Sequence, residues 1–157
     1  MDREQMTDAI LAHRVSMLRL ALSVTGSGPD AEDAVSAATE RALLSARRMR
    51  QPERVKSYLL TAAYRAAVDI LRRRKREFPS DTLPEESCPF ESLTGTVYET
   101  IAQLPRAYRE VLVLYYYEGY SAKEIAGMTG SNVSRVTTQL SRGRQKLREL
   151  LEGGEEE

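Results

Sequence analysis

A chain of 157 residues is long enough for one domain or two small ones, and 41% apolar content is enough for packed helices. No apolar run approaches the roughly 20 residues that span a bilayer, and the N-terminus MDREQMTDAI is too polar for a signal peptide, so no membrane insertion is expected. The lone cysteine, Cys88, excludes an internal disulfide and a cysteine-built metal site and suggests a reducing, cytoplasmic setting, while a formal net charge of zero hides a strong segregation of charge along the chain.

Met6, Ile10, Met17 and Ala21 recur at helical spacing, with Leu11, Val15, Leu18 and Leu22 beside them, which predicts a first helix buried over a wide arc. His13 falls in the first stripe, where a lone histidine reads as a packed core residue rather than a ligand. Residues 25–29, TGSGP, form a loop, and Asp30 is placed to cap the next helix. Glu32 and Asp33 fall in its first turn, where the helix dipole favours acid. That second helix, AEDAVSAATERALLSARRMR, turns Val35, Ala38, Ala42, Ala46 and Met49 inward. Its acidic start and basic end follow the dipole; its polar face also suits docking to a protein partner. Gln51, Pro52 and Glu53 end it.

The third helix, RVKSYLLTAAYRAAVDILRRRKRE, buries Val55, Leu59, Ala62, Ala66 and Ile70. Lys56, Tyr58, Tyr64 and Arg65 are expected on its outer face, and it closes on Arg72, Arg73, Arg74, Lys75 and Arg76. Residues 41–78 carry about 12 bases against Glu53, Asp69 and Glu77, or roughly +9. Such a patch attracts a phosphate backbone whatever the net charge of the chain. Tyrosines among the cations suit stacking on unpaired bases. The plainer reading is a solvated helix end.

From 79 to 104 the character inverts. Pro79, Pro84 and Pro89, with Asp81, Glu85, Glu86 and Glu91 and no base, mark a flexible acidic linker that divides the chain into two domains. A short helix over 97–103 follows, then Leu104 and Pro105. Pro105 opens the helix AYREVLVLYYYEG, with Tyr108, Val111, Leu112 and Tyr115 inward and Tyr115, Tyr116 and Tyr117 forming a partly buried wall.

Residues 119–151 read as two helices and a tight turn. Ser121 and Glu124 form a capping box, Ala122, Ile125 and Ala126 a small apolar face, Gly130 the break, and Asn132 the next cap. Val133, Val136, Leu140, Leu147 and Leu151 then turn a long helix inward. Its other face carries Ser134, Arg135, Thr137, Thr138, Ser141, Arg142 and Lys146, short polar groups that reach base edges and cations that reach phosphates. This is helix-turn-helix geometry, which puts such a face in the major groove. An ordinary helical hairpin with a solvated face is the alternative. The acidic tail from Glu152 on is expected to be disordered. The fold class is thus all-α: two small helical domains on an acidic linker, the second a helix-turn-helix.

With both ends in view, the chain resembles the extracytoplasmic-function type of bacterial RNA polymerase sigma factor. DAEDAVSAATERA resembles the family's polymerase-docking helix, usually DAEDLVQETFLRA. VKSYLLTAAYRAAVDILRRRKR resembles its promoter-melting and upstream −10 segment, typically WLYRIARNLAIDYLRRRKR. The segment from Leu104 to Leu151 resembles the −35-reading domain, with Leu104-Pro105, Arg109-Glu110-Val111, Glu118-Gly119, Glu124-Ile125-Ala126, Val136, Leu140, Ser141-Arg142 and Arg144 in register. The family's docking Gln is Ser36 here, the Leu before it Ala34, its Trp Tyr58, its melting-helix Asn Arg65, and the often hydrophobic turn residue Ser131.

The resemblance implies a domain over 1–78 that docks on core RNA polymerase and melts the −10 element, a linker over 79–95, a −35 domain over 96–152, and a tail over 153–157. It implies polymerase contacts at Asp30, Glu32, Asp33, Ser36 and Arg41. It implies contacts to melted −10 DNA around Tyr58, Tyr64, Arg65, Arg72, Arg73, Arg74, Lys75 and Arg76, and to duplex −35 DNA at Ser134, Arg135, Thr137, Thr138, Ser141 and Arg142. The loop over 51–57 would hold a flipped base, and the acidic linker would mimic nucleic acid in a polymerase channel. An anti-sigma factor could hold either amphipathic domain. No cofactor, metal or catalytic residue is implied. The competing readings are a stand-alone helix-turn-helix regulator, which would need to dimerise on two half-sites, and an enzyme, for which the sequence offers no Gly-rich phosphate loop, no His pair and no Cys-His set.

Overall fold

The computed structural model describes residues 1–77 and 96–155. The chain divides into two compact units between Pro89 and Phe90, and the expected linker over 79–95 lies outside the described residues. Every regular element among the described residues is helical.

Three helices build the N-terminal unit: α1 (Arg3–Thr25), α2 (Gly28–Leu44) and α3 (Val55–Glu77), each packed on the other two. The first starts in a capping box, where the Asp2 carboxylate accepts from the Gln5 amide at 2.7 Å and Gln5 Oε1 accepts from the Asp2 amide at 3.0 Å. It stops at Gly26, whose φ of 68° is left-handed and turns its N–H onto Leu22 O. The cap of α2 is Ser27 rather than Asp30. Ser27 Oγ accepts from the Asp30 amide at 3.4 Å, so the helix begins three residues earlier than expected, with Pro29 in its first turn.

The second helix also ends sooner than expected, at Leu44. Ser45 Oγ donates back to Arg41 O at 2.9 Å and meets the Tyr58 hydroxyl at 2.5 Å, and short 3₁₀ turns over Ala46–Arg48 and Pro52–Arg54 lead into α3. Met6, Met17 and Leu20 of α1, Ala31, Ala34 and Val35 of α2, and Leu59, Leu60, Ala63 and Ala67 of α3 fill the core. The alanines let the three helices approach closely. Leu11 and Val15 are corrected from buried to exposed, at 66% and 49%. The other helices enclose only the C-terminal end of α1, where residues 20–24 are all buried, and leave its start covered on one side.

The C-terminal unit holds α4 (Thr96–Ala102), α5 (Arg106–Leu112), α6 (Ala122–Thr129) and α7 (Val133–Glu155). Pro105 caps α5, which runs on through a wide π-type turn, Val113–Tyr117. Tyr98, Ile101, Leu112, Leu114, Ile125, Val136 and Leu140 form the core. At Gly143 α7 comes so close to α5 that an added Cβ would stand 3.2 Å from Leu112 Cδ1 and Tyr108 Cβ. Two expectations are corrected. Val133 is 46% exposed, because the first turn of α7 projects beyond the core. The helix also continues through Gly153 to Glu155 rather than fraying at Glu152.

Candidate nucleic-acid interfaces

Local caps fix the helix-turn-helix. The Glu124 amide donates to Ser121 Oγ at 3.2 Å and the Ser121 amide to Glu124 Oε1 at 3.0 Å. The bond from the Ser121 amide is the larger cause that holds the Glu124 carboxyl below its ordinary pKa, with the Ser121 hydroxyl adding to it. Gly130, at φ 71°, breaks the chain between α6 and α7. Asn132 Oδ1 accepts from the Arg135 amide at 2.8 Å and starts α7. Between them Ser131 turns its hydroxyl into the interior, where it has no hydrogen-bond partner.

Val136, Leu140, Gly143 and Leu147 are buried, so the opposite side of α7 stands free. The six residues expected to read DNA there are all exposed, but they fall on two flanks of one crest. Ser134, Arg135, Thr138 and Arg142 border a groove of about 400 Å³ beside Tyr108. Thr137 and Ser141 border another of about 530 Å³ beside Tyr115, together with Arg144 and Arg148. A helix in the major groove faces a backbone on each side, so cations on both flanks suit that position. Thr138 Oγ1 donates to Ser134 O at 3.0 Å, which leaves its methyl group and lone pairs for a base edge.

Three residues of this face were not among those expected to read DNA: Arg144, which entered only as a register match, and Gln145 and Arg148. Continuing the exposed spacing 134, 138, 141 predicts 145 and 148, so the signal was present. Arg144 lies 4.5 Å over the Tyr115 ring and 5.7 Å from that of Tyr116, and Tyr98 meets Tyr117 edge-on at 5.8 Å. Tyr115, Tyr116 and Tyr117 nevertheless stay 37%, 52% and 37% exposed, so Tyr115 is corrected from inward to outward.

In the N-terminal unit the expected basic-aromatic face splits. Tyr58, Arg65, Arg72 and Arg76 recur at intervals that return to one side of a helix; the three arginines are exposed and Tyr58 is half-buried. Arg73 and Lys75 are exposed beside them, and Asp69 interrupts the row. Tyr64 is corrected from the outer face to the core: it is 8% exposed and offers no stacking surface. It follows Leu60 by one turn and points with it toward the packed side. Arg74 also turns inward. It continues the buried positions 63, 67 and 70, and its Nη2 donates to Asp30 Oδ1 at 2.5 Å. That hydrogen bond raises the guanidinium pKa above its ordinary value, against a smaller opposing effect of burial.

Of the five residues expected to meet polymerase, Glu32, Asp33, Ser36 and Arg41 are exposed on α2, the first three on one side. Asp30 is not among them, since its side chain is 5% exposed and engaged by Arg74. The loop expected to hold a flipped base exposes residues 51–54. Among the described residues no helix is long and apolar enough to cross a membrane.

Comparison with known proteins follows the same division. Residues 9–77 match the family model "Sigma-70 region 2", and residues 94–147 match "Sigma-70, region 4". The chain is 31% identical over 160 residues to the RNA polymerase sigma factor SigV of Bacillus subtilis, an alignment covering 94% of this chain and 95% of the relative. It is 33% identical over 135 residues to the sigma factor CarQ of Myxococcus xanthus, covering 80% and 76%. Among solved structures it resembles the sigma factor RpoE from Bartonella quintana, crystallised with the anti-sigma factor NepR. That match has a TM-score of 0.79 at 21% identity over 93% of this chain and 96% of the other.

Proposed function

The chain belongs to the sigma-70 family, as an extracytoplasmic-function sigma factor, and on that premise we propose which residues carry each of its tasks. It directs transcription initiation: it binds core RNA polymerase and recognises a promoter. It is a regulatory DNA-binding factor, and in this reading it performs no covalent chemistry of its own and works in the cytoplasm, where promoter and polymerase are.

The −35 element is read by the crest of α7. The observation that carries this is the exposed row of Ser134, Arg135, Thr137, Thr138, Ser141 and Arg142 opposite a buried stripe, on a helix set by a capped, glycine-broken turn. The residues nearest the start of α7 reach deepest into the groove. Melted −10 DNA is held by Arg65, Arg72, Arg73, Lys75 and Arg76 with Tyr58. Polymerase docks on Glu32, Asp33, Ser36 and Arg41. An anti-sigma partner belongs to the same reading, supported by the complex in which RpoE was solved.

Mixing the chain with core polymerase and a promoter library tests the function: a sigma factor starts transcripts, and a stand-alone regulator starts none. The site assignment has its own test. Thr138→Ala should shift preference at one or two base pairs and cost about 1 kcal/mol at the native −35 site. Arg142→Ala should weaken every site evenly if it meets a phosphate. Binding both variants to a set of −35 sequences separates the roles, and an even loss from Thr138→Ala would remove Thr138 from the base readers.

A further inference from the structure

The pairing of Asp30 with Arg74 joins residues 44 positions apart, from the first turn of α2 to the last turns of α3. It has a mechanical setting. The hydrophobic seam of α3 ends at Ile70, one turn before Arg74. Beyond that point the helix carries Arg72, Arg73, Arg74, Lys75 and Arg76, whose mutual repulsion favours fraying. Asp30 answers from a protected position. Its amide is held by Ser27, its carboxylate sits at the positive end of α2, and its side chain is 5% exposed against 38% for Arg74. A carboxylate so enclosed cannot reach a partner molecule while α2 and α3 stay packed. Glu77 and Asp33 also raise the Arg74 pKa through their charge, each less than Asp30 does.

We infer that Asp30 and Arg74 are positioning residues, a half-buried strut that fixes the basic end of α3 against the start of the docking helix and so sets where Arg72, Arg73 and Arg76 stand. The inference rests on the reading of α2 as the polymerase side and α3 as the −10 side. On that reading the strut ties the two together: the first turn of the docking helix is bonded directly to the turn that presents cations to DNA. Neither member touches polymerase or phosphate.

The test uses the full chain with core polymerase, a premelted −10 promoter and a series of salt concentrations. Wild-type chain must first compete for core polymerase and bind the promoter; failure there sinks the functional reading and not the strut alone. Asp30→Asn and Arg74→Gln should each leave competition for core polymerase unchanged. Each should weaken holoenzyme binding to premelted DNA by about tenfold, and the double variant should lose no more than either single, as expected for coupled neighbours. The salt slope should stay at its wild-type value, because no phosphate contact is removed, whereas Arg73→Ala should lower it by about one. Leaving the enclosed Asp30 carboxylate without its partner can also unfold a helix bundle. A packed apolar pair, Asp30→Leu with Arg74→Met, is therefore included and should restore binding toward wild type. A lower salt slope from Arg74→Gln, losses that add in the double variant, an apolar pair that folds without restoring binding, or a loss of core competition from Asp30→Asn would each overturn the strut.

Discussion

In the C-terminal unit the charged pair that orders a helix is local: Arg106 Nε donates to Glu110 Oε2 at 3.2 Å, four residues along α5. In the N-terminal unit the corresponding bond crosses 44 residues, from Arg74 to Asp30. The same contrast runs through both candidate surfaces. The crest of α7 is set by bonds within three or four residues, at Ser121, Asn132 and Thr138, and its polar side chains remain free to meet DNA. The basic end of α3 is set by packing against α1 and α2, which buries Tyr64 and engages Arg74 with Asp30 while 38% of the Arg74 side chain stays exposed. A surface built on local bonds keeps its residues available to a partner. One built on long-range packing trades some of them for position.

Variants can break or sharpen this contrast. The largest effect is expected at Leu59, fully buried among the three helices of the N-terminal unit. Leu59→Ala should cost about 2–5 kcal/mol, read from denaturant unfolding. If tasks divide between the units as proposed, binding to duplex −35 DNA survives it while binding to premelted −10 DNA is lost. Next comes Gly143, where α7 meets α5 with no room for a side chain. Gly143→Val should cost about 1–3 kcal/mol by overpacking and should weaken −35 binding as α7 is pushed off its seat. The close approach at Gly143 adds to the other long-range contacts that seat α7, the buried Val136, Leu140 and Leu147 and the stacking of Arg144 on Tyr115.

The turn offers a gain instead. Ser131 holds an interior hydroxyl without a partner. Ser131→Ala should raise the stability of the C-terminal unit by about 1 kcal/mol, seen as a higher unfolding midpoint with −35 preference unchanged. The smallest effect is a dependence on acid. The folded unit holds the Glu124 carboxyl below its usual pKa, so the unfolded chain takes up its proton first. The capping-box contribution is full above the ordinary glutamate pKa of 4.5 and fades as pH falls through the lowered folded pKa. Glu124→Ala should flatten the acid limb of the stability curve.

The sequence alone determined what short-range chemistry decides. Helix starts at Ser121 and Asn132, the left-handed break at Gly130, the buried stripe at Val136, Leu140 and Leu147 and the exposed row on α7 all depend on spacings within one or two turns. The family resemblance added the order of tasks along the chain. Where long-range packing governs, local spacing went astray. Leu11 and Val15 read as buried because helical spacing cannot say how far along α1 the neighbouring helices extend. Tyr64 read as outward because the stripe taken from spacing ran through Ala62 and Ala66, whereas the packed side runs through Leu60, Ala63 and Ala67, with Tyr64 one turn after Leu60. Asp30 read as a cap because a carboxylate suits a helix start, its place among the polymerase contacts came from the family resemblance, and Arg74 read as a phosphate contact because it lies in a basic run. Only the tertiary structure brings them together, since a carboxylate and a guanidinium 44 residues apart meet through the crossing of two helices that no local pattern encodes.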